Sequence, residues 1–301
     1  MKKAIKAICV FIVAVLMLSI HTTASAFEDT SITLYYSPGV CDFSFYKIAN
    51  ISADGKVALT EQFNDYVNSV DMLNRITRLN ADEMRTLSTT LDAIVLRDDL
   101  TPKYVIATSE KGVLKHTNLD RGIYLIIGEQ TRDEKYLYTP SPLLVSIPQL
   151  LENGNWENHV IVKHTKFQKE ELKNDFVQYS VRKIWRDTGY LSKRPPDIYV
   201  QLFQNEKLYD TVKLNAANNW FYEWEKLPAN FKWTVVEKEI PKDYFLIVDK
   251  NQTGIVLTNR YKIPPPDIPQ TGQLWWPVPI LFAVGAILLT LGFLGKKSRV
   301  R

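Results

Sequence analysis

Residues 274–294 form an uncharged stretch of 21 residues, and Lys296, Lys297, Arg299 and Arg301 follow it directly. As a helix rising 1.5 Å per residue, such a stretch spans about 31 Å, the thickness of a bilayer's hydrocarbon core. Trp275 and Trp276 stand where an aromatic belt lies, and the basic stub stays cytoplasmic under the positive-inside rule. Pro277 and Pro279 fall in the first turns, where a missing N–H costs least. The other end carries Lys2, Lys3 and Lys6, then an apolar run over 7–20, then the small-residue site Ala24-Ser25-Ala26. This is the form of a secretory leader covering 1–26; the alternative is an N-terminal membrane anchor. Between these ends the chain has to fold outside the cell, tethered by its C-terminus.

Outside the cell, charge and cysteine usage read differently from the precursor's totals. Of 37 Lys and Arg, three lie in the leader and four in the tail, which leaves 30 basic against 33 acidic residues in 27–271, a net of −3. Nothing in that balance suggests a nucleic-acid partner. Cys9 leaves with the leader, so Cys41 stands alone and no internal disulfide can form. Cys41 reads as a packed residue; a thioester or an intermolecular disulfide is the alternative, and no matching glutamine motif supports the thioester.

The roughly 245 mature residues suit two domains. In 27–166, "SITLYY" and "FSFYKIANI" read as strands, and "RGIYLIIGEQ", "YLYTPSPLLVSI" and "NHVIVKHTKF" resume the pattern later. Between them the period changes. Asn80 and Glu83 form an N-x-x-E capping box, and Met84, Leu87, Leu91, Ile94 and Val95 keep helical spacing as core positions. One or two helices are predicted over roughly 61–97. In 167–263, six segments from "FVQYSVRKIWRD" to "GIVLTNRYKI" alternate as strands, with turns at Asn205-Glu206 and 251–254. The predicted fold is mainly β: two extracellular immunoglobulin-like β-sandwich modules, the first with a helical insert, the second a small antiparallel sandwich, plus a C-terminal transmembrane helix. Residues 264–273 form a Pro-rich linker and 295–301 the basic tail.

Three stretches resemble known families. Ile268-Pro269-Gln270-Thr271-Gly272, followed by the apolar span and basic tail, resembles the LPxTG sorting signal of Gram-positive surface proteins, with Ile in place of Leu. The resemblance implies a sortase that cuts between Thr271 and Gly272 and joins the Thr271 carboxyl to peptidoglycan or to a lysine of a pilin subunit. A single-pass protein never cut by sortase is the alternative. The segments "KIWRDTGYLSKRPPDIYVQLFQNEK", "LNAANNWFYEWEKLP", "WTVVEKEIPKDY" and "VLTNRY" resemble a Cna B-type domain, the immunoglobulin-like stalk module of Gram-positive adhesins and pilins. More loosely, "FSFYKIA", "RGIYLIIGE", "YTPSPLLVSIP" and "NGNWENHVIV" are similar to the N-terminal module of pilin-type proteins.

The Cna B-type resemblance implies an intramolecular isopeptide bond from Lys183 to Asn259, with Glu237 as the acid between them. The residue types suit that chemistry. Burial disfavours charge, so it frees a lysine amine to act as nucleophile and keeps a carboxyl protonated to polarise the amide. Folding then replaces a bimolecular encounter by proximity. The alternative is a plain Lys183–Glu237 salt bridge; Glu239, two residues on, is the fallback acid. The first module has Gly128 where the acid would fall and no lysine in "SITLYY", so no analogous bond is predicted there, and Lys47 reads as an exposed or structural lysine. Shaft-forming pilins offer an acceptor lysine in a V-Y-P-K-like motif. Here "IVKHTKF" lacks the tyrosine and proline, leaving Lys163 and Lys166 as candidate acceptors and favouring a minor or basal subunit.

No H-E-x-x-H, G-x-S-x-G, P-loop or dinucleotide turn occurs, so the reading is not an enzyme, with no metal and no cofactor. The remaining alternative is an adhesin whose first module recognises a host surface ligand through its helical insert.

Overall fold

The computed structural model describes residues 29–263, apart from 152, 173–175 and 251–253. The leader (1–26), the sorting pentapeptide (268–272) and the apolar span (274–294) lie outside the described residues. Among the described residues no helix is long and apolar enough to cross a membrane.

The strands of the first module are β1 (Ser31–Tyr35), β2 (Asp42–Ile51), β3 (Val57–Leu59), β4 (Tyr104–Ala107), β5 (Val113–Thr117), β6 (Gly122–Gly128) and β7 (Thr131–Arg132). They continue with β8 (Tyr136–Pro140), β9 (Leu143–Ile147), β10 (Gln149–Leu150), β11 (Trp156–Glu157) and β12 (His159–Val162), and β13 (Phe167–Glu171), from the expected second segment, pairs with β8 and so joins this module. The predicted single strand over "YLYTPSPLLVSI" is two strands, β8 and β9, placed in different sheets. The central sheet runs β3-β2-β6-β9, with β4 also paired to β2. Both of its faces are buried. Phe43, Phe45, Tyr124 and Ile126 pack on Ile32, Leu34 and Val160 of the sheet β12-β1-β5. Ile48, Ile123 and Leu125 pack on the helical insert. A strand covered on both sides needs apolar residues on both, which is why "GIYLIIG" does not alternate.

The insert holds α1 (Glu61–Asn64), a 3₁₀ turn (Leu73–Arg78) and α2 (Ala81–Arg97). α2 starts at the expected box. The Asn80 side chain accepts from the Glu83 N–H, and the Glu83 carboxylate accepts from the Asn80 N–H, each at 3.0 Å. Leu87, Leu91, Ile94 and Val95 are core residues, whereas Met84 is only half-buried.

The second module contains β14 (Phe176–Arg186), β15 (Asp197–Gln204), β16 (Lys207–Asn215), β17 (Phe221–Pro228), β18 (Trp233–Glu237), β19 (Tyr244–Lys250) and β20 (Gly254–Tyr261). Sheet β17-β14-β20-β19 faces sheet β16-β15-β18 across a core that includes Val181, Val200, Leu202, Val235, Leu246 and Leu257. The expected purely antiparallel sandwich is corrected at one place: β14 and β20 pair in parallel, Lys183 opposite Leu257 and Trp185 opposite Asn259. A parallel pair needs a long connection, and here the other five strands of the module supply it.

Each sheet of this sandwich ends in an edge strand, β18 or β19, and the first module's insert lies over both. Ala93 of α2 belongs to the second module's core and Leu96 packs against it. The Leu246 N–H donates to Ser69 O at 2.8 Å and the Val248 N–H to Thr90 Oγ1 at 3.0 Å. Arg97 Nη1 donates to the Glu237 main-chain carbonyl at 3.2 Å. Edge strands left open are templates for aggregation, and this cover removes that hazard within one compact unit extending to Lys262.

Candidate functional site

The β14–β20 register decides which side chains meet inside the sandwich. Lys183 projects inward from β14, and Asn259 reaches the same region from the neighbouring strand. Glu237 arrives from the opposite sheet, as the last residue of β18, opposite Val200 of β15. Lys183 Nζ lies 2.7 Å from Glu237 Oε2, and Asn259 Nδ2 donates to Glu237 Oε1 at 3.1 Å. The Lys183 and Glu237 side chains are 0% exposed, and Asn259 is equally closed off. Glu239, the fallback acid, is exposed beyond the end of β18.

Burial pulls the Lys183 amine from its ordinary 10.5 down to about 8, against the attraction of Glu237, which works to raise it. An amine so placed gives up its proton far more readily than a surface lysine. Asn259 Oδ1 is buried without a hydrogen-bond partner. Such an orphan costs about 1–3 kcal/mol, so the site holds one acceptor that the folded chain alone leaves unsatisfied.

Aromatic rings close the site. Trp185 lies under the Lys183 ammonium, 5.0 Å from ring centre to nitrogen, and meets Trp220 and Tyr244 edge-on, each at 5.2 Å. The Tyr244 hydroxyl donates to Asp187, which also holds Arg194. Sequence reasoning missed this shell. Its one visible signal is the i+2 spacing of Lys183 and Trp185, which puts both on one face of a strand.

The first module provides a contrast. Lys47, expected to be exposed or structural, is largely buried, its side chain 12% exposed; its amine is lowered to about 8 by burial and by Lys103. Lys47 and Lys103 both pair with Asp120, which is half-exposed. Asp120 is open to solvent, unlike the fully buried Glu237 and Asn259. At Gly128 a Cβ would come within 2.7 Å of Phe43 and Pro140, so no acidic side chain fits there. Cys41 is packed, and burial pushes its thiol up to about 12. Lys163 and Lys166 are both exposed. Lys166 lines a cleft of about 830 Å³ between α2 and the second module, with Met84, His164 and Lys250 among its walls. Among the described residues no group of His, Cys, Asp or Glu is arranged to hold a metal.

Residues 179–260 match the Cna protein B-type domain. The second module is a Cna B-type domain. Its triad is thus carried by the matched stretch itself. The collagen adhesin of Staphylococcus aureus is 37% identical over 90 residues, which is 27% of this chain and 8% of that relative. The chain therefore spans less than a tenth of the relative's length. A single B repeat unit of the collagen binding surface protein of the same organism is 16% identical, with a TM-score of 0.28 over 78% of this chain and 98% of that one. The SpaA pilin of Corynebacterium diphtheriae, in a signal-peptide complex, is 20% identical, with a TM-score of 0.30 over 48% and 99%. The pilus backbone protein RrgB of Streptococcus pneumoniae is 11% identical, with a TM-score of 0.27 over 79% and 74%.

Proposed function

We propose that this chain is a pilin-like surface subunit of a Gram-positive bacterium, exported, cut by sortase after Thr271 and held in the cell wall or a pilus. It works as a stalk or adhesion component, and an amide between Lys183 and Asn259 locks its Cna B-type module. One observation carries the reading: a lysine, a glutamate and an asparagine, all fully buried, hydrogen-bonded in a row inside a matched Cna B-type domain.

The chemistry needs no outside reactant. Lys183 passes a proton to Glu237 across 2.7 Å. Turning over the Asn259 amide, whose ends are nearly equal in shape, brings Oδ1 to the protonated carboxyl and gives the orphan acceptor a donor. The neutral amine adds to Cγ of Asn259. The Nζ–Cγ bond forms, the Cγ–Nδ2 bond breaks, and Glu237 relays the amine's proton to Nδ2, so that ammonia leaves. The aromatic shell keeps water from competing for the carbonyl. This is a single maturation event and not a turnover reaction.

The missing V-Y-P-K-like motif favours a minor or basal position over the shaft, with Lys166, at the cleft, and Lys163 as the candidate acceptors. The rival reading, a host-ligand adhesin using the helical insert, has less support, because α2 packs on the central sheet through one face and on the second module through another. Intact mass of the ectodomain, residues 27–262 expressed without leader or sorting signal, tests the cross-link. The product should be one ammonia lighter than its sequence, with the deficit abolished by Lys183→Ala; full sequence mass in the wild type would refute it. Wall fractionation separates a pilus, seen as a ladder, from a singly anchored protein, seen as one band.

A further inference from the structure

The insert of the first module grips the strands that carry the cross-link residues. Arg97, in the last turn of α2, donates from Nη1 to the main-chain carbonyl of Glu237 itself. Its Nε and Nη2 are held by Asp98, which in turn accepts from the Tyr66 hydroxyl, so the guanidinium is fixed in place with its side chain 10% exposed. Asp71, just before the 3₁₀ turn, pairs with Arg260, the residue after Asn259. Ser69 and Thr90 hold β19, the edge strand beside β20.

β18 and β20 belong to different sheets, so no backbone ladder sets the distance from Glu237 to Asn259. Within the sandwich the distance is set by side-chain packing and by the 238–243 connection from β18 to β19, which pairs with β20. The insert touches both strands at the cross-link level and packs on the first module's core.

We infer that the first module positions the cross-link of the second: Arg97 and Asp71 fix β18 against β20 so that Glu237 lies between Lys183 and Asn259. Arg97 is a positioning residue. It touches no reacting atom and acts through the Glu237 backbone. Bond formation in the Cna B-type module is therefore coupled to folding of the module before it, and the amide forms only once both have docked. This inference rests on the isopeptide reading above.

The test is a time course of ammonia loss by intact mass, on residues 27–262 made by cell-free synthesis so that folding starts from the unreacted chain. Arg97→Ala should slow the loss about tenfold, the rate equivalent of one charge-assisted hydrogen bond, and Asp71→Asn, whose partner Arg260 is partly exposed, by about two- to fivefold. Thr90→Val removes a docking bond to β19, which carries no cross-link residue, and should leave the rate within about twofold, well under that single-bond equivalent. The same substitutions in a Lys183→Ala background, where no bond can form, report folding stability alone through their thermal midpoints. The inference stands if Arg97→Ala slows cross-linking well beyond a Thr90→Val variant of equal or lower midpoint. It falls if Arg97→Ala cross-links at the wild-type rate, or if both variants slow in proportion to their loss of midpoint. A wild type that never loses ammonia would overturn the isopeptide reading along with it, whereas a cross-linked wild type with an unaffected Arg97→Ala would overturn this inference alone.

Discussion

Glu237 has no exposed surface and touches both prospective partners, so it is the residue least replaceable in the site. Glu237→Gln keeps the shape but cannot take the proton from Lys183, and should leave the mass at its full sequence value. Lys183 also makes a prediction about pH. In Asn259→Ala no amide can form, and Lys183 remains a titrating amine with a folded pKa near 8 against 10.5 when unfolded. Between those values the unfolded chain binds more protons than the folded one, so stability rises as pH climbs through that window. Urea midpoints of Asn259→Ala should increase from pH 8 towards 10.5 relative to the double variant Lys183→Met, Asn259→Ala; a flat difference would contradict the assigned environment. At this scale the three triad positions were legible, because each sits in a short stretch resembling the Cna B-type pattern. Trp220, Tyr244, Asp71 and Arg97 were not. Their roles come from contacts between distant segments, and nothing in their local spacing marks them.

At the scale of elements, α2 shows what a sequence pattern reveals and what it hides. The capping box and the apolar stripe from Leu87 to Val95 announce the helix and its first buried face. The second buried face carries Thr90 and Ala93, small or polar residues that read as solvated. They are small because the second module's edge strands approach there, and Thr90 is polar because a β19 N–H needs an acceptor. The parallel β14–β20 pair was hidden for a similar reason, since alternation fixes which face a residue takes and not the direction of its neighbour. Asn80→Ala removes the cap and should cost about 1 kcal/mol. Because α2 covers β18 and β19, that loss should appear in one cooperative transition of both modules. Two separated transitions by differential scanning calorimetry would show instead that the helix does not couple them.

For the whole molecule, the parallel pairing of first and last strands has a mechanical consequence. The second module is entered at one end of β14 and left at the far end of β20, so tension along the chain shears those two strands past each other. An amide from Lys183 to Asn259 takes that tension directly and leaves the intervening strands out of the path. In the unfolded state the same link closes the long loop between positions 183 and 259, worth about 4–5 kcal/mol in the chain-entropy treatment of a cross-link. Asn259→Ala should lose stability of that order in urea. Under force the wild-type module should not lengthen, whereas the variant should release on the order of 200 Å of chain. The most direct test is to sequence the bond itself. Tandem mass spectrometry of a proteolytic digest of the wild-type protein should find one branched peptide in which Lys183 Nζ is joined to Asn259 Cγ. Two separate peptides, with Lys183 and Asn259 both unmodified, would contradict the account.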